Sequence, residues 1–589
     1  MSWRFADFEL DEERRELRLR GREVVLQPRV MDVLLYLVRN RERVVPKDEL
    51  LDRLWPGTVV TESSLQRAVS LARSALRAGE AADAIRSYPR RGYRFCADVT
   101  ASGPSEPPTG RPEIPPALAD ARTAFETADW EGALELLARV DREDALTGAD
   151  LERWAHCFLN LGRPAEAVPS LERAVAAHSS AGDARGAARS AVLLCQIHLE
   201  GRRPKVAKGW HGRALRLLGD AEPCRELALA EWMAGRLAIA DGDHVTAAER
   251  FQRALEVAGE LEDLDVEAVS LVYLGHALIA QDRTRQWLAR QDEAAAAVLG
   301  GEVSPWYAGL VYCGLIYVCQ NRGDWSRASE WTESFSTWQE RCPTSTFPAL
   351  CRLHRAEVLT VRGELDQAER DIRDTRAELI ESAPYAEGDA ERLLGDVHLA
   401  RGDLDRAERA YRRAYALGWD PCPGWAYLHA ERGDLDGGIR ALERALEDTG
   451  WPCHQRRRLL LAALARVEAA AGQPERARAA IREAEGAEDR DLSPAQRGAL
   501  DRARGELAFA EGRTDEAIAT LRTAVRLWQE LNCPMEVAAL RFRMAELLHA
   551  SGDDEGAELE LAAAEEALRR TDAEGRREAC VAFRERLAR

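Results

Sequence analysis

The seventeen residues Thr61-Glu-Ser-Ser-Leu-Gln-Arg-Ala-Val-Ser-Leu-Ala-Arg-Ser-Ala-Leu-Arg77 decide how the start of this chain is read. Leu65, Val69, Ala72 and Leu76 recur at helical spacing and form one apolar stripe. Thr61 stands where an N-cap belongs, with Glu62 and Ser63 in the first turn. The opposite face carries Ser63, Gln66, Arg67, Ser70, Arg73 and Arg77, and its only acid lies at the N-terminal end. Arg and Gln can make paired hydrogen bonds to base edges, and Ser admits close approach. An ordinary solvated helix has the same look, so the neighbours must decide.

Working outward, Trp3 to Leu10 alternates apolar and polar residues, as a half-buried strand does. Glu16-Leu-Arg-Leu-Arg20 and Glu23-Val-Val-Leu26 follow, with Gly21 at a tight turn. Pro28 to Asn40 carries Val30, Val33, Leu34, Leu37 and Val38 on one helical side. Lys47 to Leu54 carries Leu50, Leu51 and Leu54, and Trp55-Pro-Gly57 stops it. After the opening stretch, Ile85-Arg-Ser-Tyr-Pro-Arg-Arg-Gly-Tyr-Arg-Phe95 alternates on both sides of Pro89 to Gly92. That is a β-hairpin with a basic tip.

A sheet, three helices and a basic hairpin come in the order of a winged helix-turn-helix. Residues 3–99 closely resemble the OmpR/PhoB-type winged-helix domain of bacterial transcriptional regulators. The carrying residues are Val44-Val45-Pro46, Leu50-Leu51, Leu54-Trp55-Pro56, Ser64-Leu65-Gln66-Arg67-Ala68-Val69-Ser70 and Tyr88-Pro-Arg-Arg-Gly-Tyr-Arg94. The last two match the versions in CadC/ToxR-like regulators. The resemblance implies that the third helix enters a major groove of double-stranded DNA and that the hairpin reaches the adjacent minor groove. Ser63, Ser64, Gln66, Arg67, Ser70 and Arg73 are then the groove-facing residues. Arg90 and Arg91 at the wing tip suit phosphates or a narrow minor groove. Trp55 reads as a core anchor. The resemblance also implies that Trp55 to Val60 can touch RNA polymerase. Relatives usually carry a receiver domain or a membrane span, and neither pattern is seen here.

The charge is unevenly spread. The 589-residue chain has a formal net charge of -19, which argues against nucleic-acid binding by the chain as a whole. Residues 1–100, however, hold 19 Lys and Arg against 16 Asp and Glu, whereas the remainder holds 63 against 85. A mildly basic head before an acidic body implies two functions. It also suggests that the body could cover the head and release it on a signal. The twelve scattered cysteines, without a CxxC pair, read as reduced core residues of a cytoplasmic protein. The N-terminus lacks a signal-peptide pattern, and the apolar run Tyr307 to Cys319 is too short to span a bilayer, so no membrane partner is expected.

Ala101 to Pro116 is rich in Pro, Gly and Ser and reads as a tether. Beyond it one pattern recurs: Gly, then Ala five residues on, an apolar residue four further, and a small residue three further. It runs through Gly162, Ala167, Leu171 and Ala174, then Gly242, Ala247, Phe251 and Ala254. It returns from Gly402, Gly472, Gly512 and Gly552, with degenerate copies from Ala128, Gly201, Gly323, Gly363 and Gly433. Gly235, Gly395 and Gly505 lie seven residues ahead of three copies. Most consecutive starts fall about 34 to 41 residues apart, a solenoid period. The glycine closes one helix, the alanine admits its partner, and stacking supplies the core. The array resembles tetratricopeptide repeats, and Gly259 to Gly301 fits it poorly. A narrower resemblance, to the helical repeats of large LuxR-type regulators, rests on Tyr312 to Gln320, Arg327 to Trp331 with Trp338, and His354 to Glu357.

The predicted fold is therefore mainly α: a small α+β winged-helix head (1–100), a linker (101–116) and an α-solenoid (117–589). Catalytic and cofactor residues are expected to be none, since no GxxxxGK[ST] or HExxH is present. Cys351-x-x-His354, with Cys342 and Cys319 near it, reads as core packing rather than metal. The aromatics Trp306, Tyr307, Tyr312, Trp325, Trp331 and Trp338 read as packing before a ligand groove. The functional expectation is a bacterial, sequence-specific DNA-binding regulator that is not an enzyme. Its solenoid would receive an unknown peptide, protein or small-molecule effector, or form a homodimer. The competing reading is a scaffold whose winged helix docks protein.

Overall fold

A computed structural model of the chain describes residues 2–588 apart from 13–14, 25, 27, 55–61, 78, 80, 82–83, 89–90, 103–115, 142–145, 220, 282, 342–348, 383–385, 448–450 and 487–491. Two compact units make up the chain: Met1–Ile114 with Leu299–Glu302, and Pro115–Val298 with Val303–Arg589.

In the first unit the strands are β1 (Ser2–Phe5), β2 (Phe8–Asp11), β3 (Glu16–Leu19) and β4 (Arg22–Val24). Helices α1 (Pro28–Arg39), α2 (Lys47–Leu54) and α3 (Glu62–Arg77) follow, then β5 (Ile85–Tyr88), β6 (Gly92–Phe95) and β7 (Thr100–Ser102). The antiparallel sheet runs β4-β3-β2-β1-β7. Trp3 pairs with Leu10, Leu10 with Leu17 and Leu17 with Val24, so the alternating apolar residues share one face. Trp3, Phe5, Phe8, Leu10 and Leu17 are buried there beneath α1 and α3. Phe5 stacks on Phe8 and meets Phe95 edge-on at 4.9 Å. All the apolar residues anticipated on α1 are buried, as are Leu65, Val69, Ala72 and Leu76 of α3. Ala101 and Ser102 belong to β7, paired with β1, although the composition had put them in the tether. Backbone pairing at a sheet edge asks little of side-chain type, so composition does not register it.

The second unit is an array of paired helices from Pro116–Glu126 to Glu574–Leu587. At the repeat positions Ala167, Ala247, Ala407, Ala477, Ala517 and Ala557 are fully buried, and so are Leu171, Phe251, Tyr411, Leu521 and Leu561. Gly162, Gly242, Gly402, Gly472, Gly512 and Gly552 all take positive φ, which an L side chain adopts only at a cost. The glycines seven residues ahead are explained by contact. A Cβ on Gly395 would lie 2.2 Å from the Tyr411 ring, and one on Gly235 would lie 2.5 Å from Phe251. The small residue is therefore the socket for the large one.

Two repeat assignments change. The copy placed at Gly201 starts at Arg202: Arg202 takes φ +58°, Val206 is exposed and Ala207 is buried. A left-handed residue is required two positions before the helix, and there it is an arginine. The stretch from Gly259 to Gly301 contains a full pair, Leu264–Ile279 and Thr284–Leu299. Trp287 and Gln291 are buried where alanine and an apolar residue were expected, and Gly275 makes room for Trp287.

The array also packs on itself. Arg456 Nε donates to Asn321 Oδ1 at 2.5 Å, and Ser493 Oγ donates to the Arg322 carbonyl at 2.7 Å. The buried Arg392 bonds Asp389, Asp396 and Glu357, the last also reached by Arg456. Tyr312 packs against Phe335 and Trp338, so this part of the aromatic cluster serves packing. Among the described residues no helix is long and apolar enough to cross a membrane.

Candidate nucleic-acid interface

The head's polar helix face sits beside its hairpin because of specific side chains. On α3, Gln66, Ser70 and Arg77 are exposed and Arg73 is half-buried. Ser63, Ser64 and Arg67 lie on the same helix, but their side chains fall outside the described residues. Arg73 Nε donates to the carbonyl of Ile85 at 2.9 Å, and its Nη2 donates to Ser87 Oγ at 2.9 Å. The helix is thereby fixed against the hairpin's first strand.

The hairpin pairs Ile85 with Phe95 and Tyr88 with Gly92. Ile85, Tyr93 and Phe95 are buried, while Arg86, Ser87 and Arg91 are exposed. Arg90 lies outside the described residues. Val45 adds a further rung, donating to and accepting from Tyr93 at 2.8 and 3.0 Å. Gly92 is required at this crossing: its φ is +129°, and a Cβ would come within 1.9 Å of the Val45 carbonyl oxygen. Arg94 is turned to the Arg41 carbonyl. Arg86, by contrast, is exposed on the wing and has no ion-pair partner among the described residues. Its position opposite Arg94 in an alternating strand was the available signal of this exposure.

Glu49 of α2 ties this helix to Tyr36 of α1. It accepts from the Tyr36 hydroxyl at 2.9 Å and from Arg43 Nη1 at 2.8 Å. The Arg43 hydrogen bond, opposed by desolvation and aided by Tyr36, lowers the Glu49 carboxyl to about 2. Burial, then the Glu49 bond, raises Tyr36. The segment from Trp55 to Val60, where a polymerase contact was expected, lies outside the described residues, as does the cap position Thr61.

In the second unit, Cys351 and His354 share a helix face, while Cys342 is outside the described residues. Cys319 is buried and its thiol is pushed up by desolvation. Among the described residues no group of three or more His, Cys, Asp or Glu side chains is placed to hold a metal ion.

A helix with an exposed polar face, braced by two helices and flanked by a basic hairpin, defines a winged helix-turn-helix domain. Residues 21–95 match the family described as "Transcriptional regulatory protein, C terminal", so the head carries an OmpR/PhoB-type winged-helix domain, and the paired helices of the second unit follow it. A curated relative is the transcriptional activator CadC of Escherichia coli (strain K12), 30% identical over 81 residues. That match covers 13% of this chain and 16% of CadC. Similar solved structures include the APC/C hetero-tetramer Cut9-Hcn1, at TM-score 0.39 and 13% identity, covering 79% of this chain and 96% of that one. Another is the apo quorum sensor NprR from B. thuringiensis, at TM-score 0.36 and 12% identity, covering 57% and 97%.

Proposed function

We propose that this chain is a transcription regulator that reads a DNA site with α3 and grips the neighbouring backbone with its wing. One observation carries the reading: Gln66 and Ser70 are exposed on the helix that Arg73 fastens to a wing bearing exposed Arg86 and Arg91. Gln66, Arg67 and Ser70, with Ser63 and Ser64 nearer the helix start, would meet base edges and phosphates in the major groove. Arg73 would act through the angle it sets between helix and wing. Arg86, Arg90 and Arg91 would neutralise phosphates or enter the minor groove.

The repeat array would receive an effector or partner, or a second copy of the chain. RNA polymerase contact through residues 55–60 belongs to the same proposal. The test is binding of the full chain to mixed duplex DNA at low and moderate salt. The reading expects affinity that falls steeply with salt. Absence of salt-dependent binding would favour a protein-docking head instead.

A further inference from the structure

Two cysteines and a histidine meet where the Pro305–Arg322 helix packs on the Ala349–Arg362 helix. Cys351 and His354 are one helical turn apart and so share a face. Cys313 projects between them from the other helix. Its Sγ lies 3.8 Å from His354 Nδ1, and Cys313 packs against the same buried cluster that contains Cys351. Cys313 is half-buried, whereas Cys351 and His354 are 2% exposed. His354 Nε2 is buried without a hydrogen-bond partner among the described residues. The charges of Asp389 and Glu357 favour the imidazole's protonated form, and that of Glu200 opposes ionisation of Cys313.

This setting is unlike that of five other described cysteines. Burial pushes up the thiols of Cys157, Cys195, Cys319, Cys533 and Cys580. Cys313 moves the other way: the Cys351 hydrogen bond overcomes desolvation and the charge of His354 assists. Burial disfavours the His354 cation, but the Cys313 thiolate and the nearby acids raise its pKa overall. A cysteine sulfur against an imidazole, with a second cysteine one helical turn from that imidazole, is the arrangement of a peroxide-reactive pair.

We propose that Cys313 and Cys351 form a reversible disulfide on exposure to a hydroperoxide, with His354 as proton donor, tying these two helices together. The Cys313 thiolate attacks one peroxide oxygen and the O–O bond breaks. The departing alkoxide or hydroxide takes the His354 proton, leaving Cys313 as a sulfenic acid. Cys351 sulfur then attacks Cys313 sulfur, the S–O bond breaks, and hydroxide leaves as water with the Cys351 proton. Two thiols and one hydroperoxide become one disulfide, one water and one alcohol or second water. A dithiol reverses the change. The helix that carries Cys313 also carries Asn321 and Arg322, which bond Arg456 and Ser493, so the bridge would bear on the packing of the array against itself.

The test is hydrogen peroxide treatment of the full chain, followed by peptide mapping without reduction. Expected is a Cys313–Cys351 peptide pair lacking two hydrogens, restored by dithiothreitol. Cys351→Ser should leave Cys313 trappable by dimedone as a sulfenic acid, and His354→Gln should slow Cys313 oxidation by about tenfold or more. Cys96, also half-buried, is the internal control. In the untreated wild-type chain Cys313 should alkylate with iodoacetamide at a rate that stays flat down to about pH 6. Oxidation of Cys96 as fast as Cys313, recovery of Cys313 without a Cys351 partner, or equal rates in His354→Gln would each overturn the proposal.

Discussion

Arg73 Nε donates a 2.9 Å hydrogen bond to the carbonyl oxygen of Ile85, joining α3 to β5 through one side chain. With the second bond to Ser87 Oγ, the planar guanidinium sets both the separation and the twist of the two elements. Lysine cannot reproduce the fork. Arg73→Lys and Arg73→Ala are therefore both expected to weaken DNA binding to every sequence, by about tenfold, and to lower head stability by about 1 kcal/mol. Gel-shift titrations on a preferred site and on mixed DNA, with melting of the full chain, check this. Loss confined to the preferred site would show that Arg73 reads bases directly.

Arg86 and Arg91 are exposed on the wing, where a contact to phosphate is electrostatic and indifferent to sequence. Replacing either with Ala should reduce the slope of log affinity against log salt by about 1. The order of preference among DNA sequences should stay the same. The measurement is a salt titration at fixed pH on two unrelated duplexes.

Glu49 joins α1 to α2 with a carboxyl held near 2 by Arg43. Its folded value is below the roughly 4.3 of an unfolded glutamate. The stabilisation it gives is thus present above about pH 4.3 and lost as pH falls through about 2. Glu49→Gln lacks this contribution. The stability advantage of the wild type over Glu49→Gln should shrink below about pH 4.3 and vanish near pH 2, read from urea unfolding of the full chain across that range.

Gly235 receives the Phe251 ring in the repeat array, with 2.5 Å between the ring and any added Cβ. Gly235→Ala should destabilise by about 1 to 3 kcal/mol through overpacking, and Phe251→Ala by about 3 to 5 kcal/mol through the cavity it leaves. Combining Gly235→Ala with Phe251→Leu should recover part of the loss. A double-mutant cycle by denaturant unfolding measures the coupling, and simple additivity would contradict the socket.

What the chain disclosed in advance was what local spacing encodes. The stripe Leu65, Val69, Ala72, Leu76 and the repeat positions around Ala247 and Phe251 are buried as their periods imply. Pairings between distant residues carry no period. Arg73 on Ile85, Glu49 on Tyr36, Arg456 on Asn321 and Cys313 on His354 join elements whose meeting depends on the fold. The repeat at Thr284–Leu299 escaped notice because Trp287 replaced the expected alanine and Gly275 compensated one helix earlier. Asp183, Asp243, Asp403 and Asp553 cap helices from the turns. In each case the acid directly follows the turn glycine, a pattern legible in the sequence.

Sequence-specific regulation by this chain requires that α3 read bases. The direct measurement is selection of the full chain against random duplex DNA, with a Gln66→Ala, Arg67→Ala double variant in parallel. The expected result is one enriched motif for the wild type, and DNA retention without that motif for the variant. The wild type retaining no motif, or the variant retaining the same one, would contradict it.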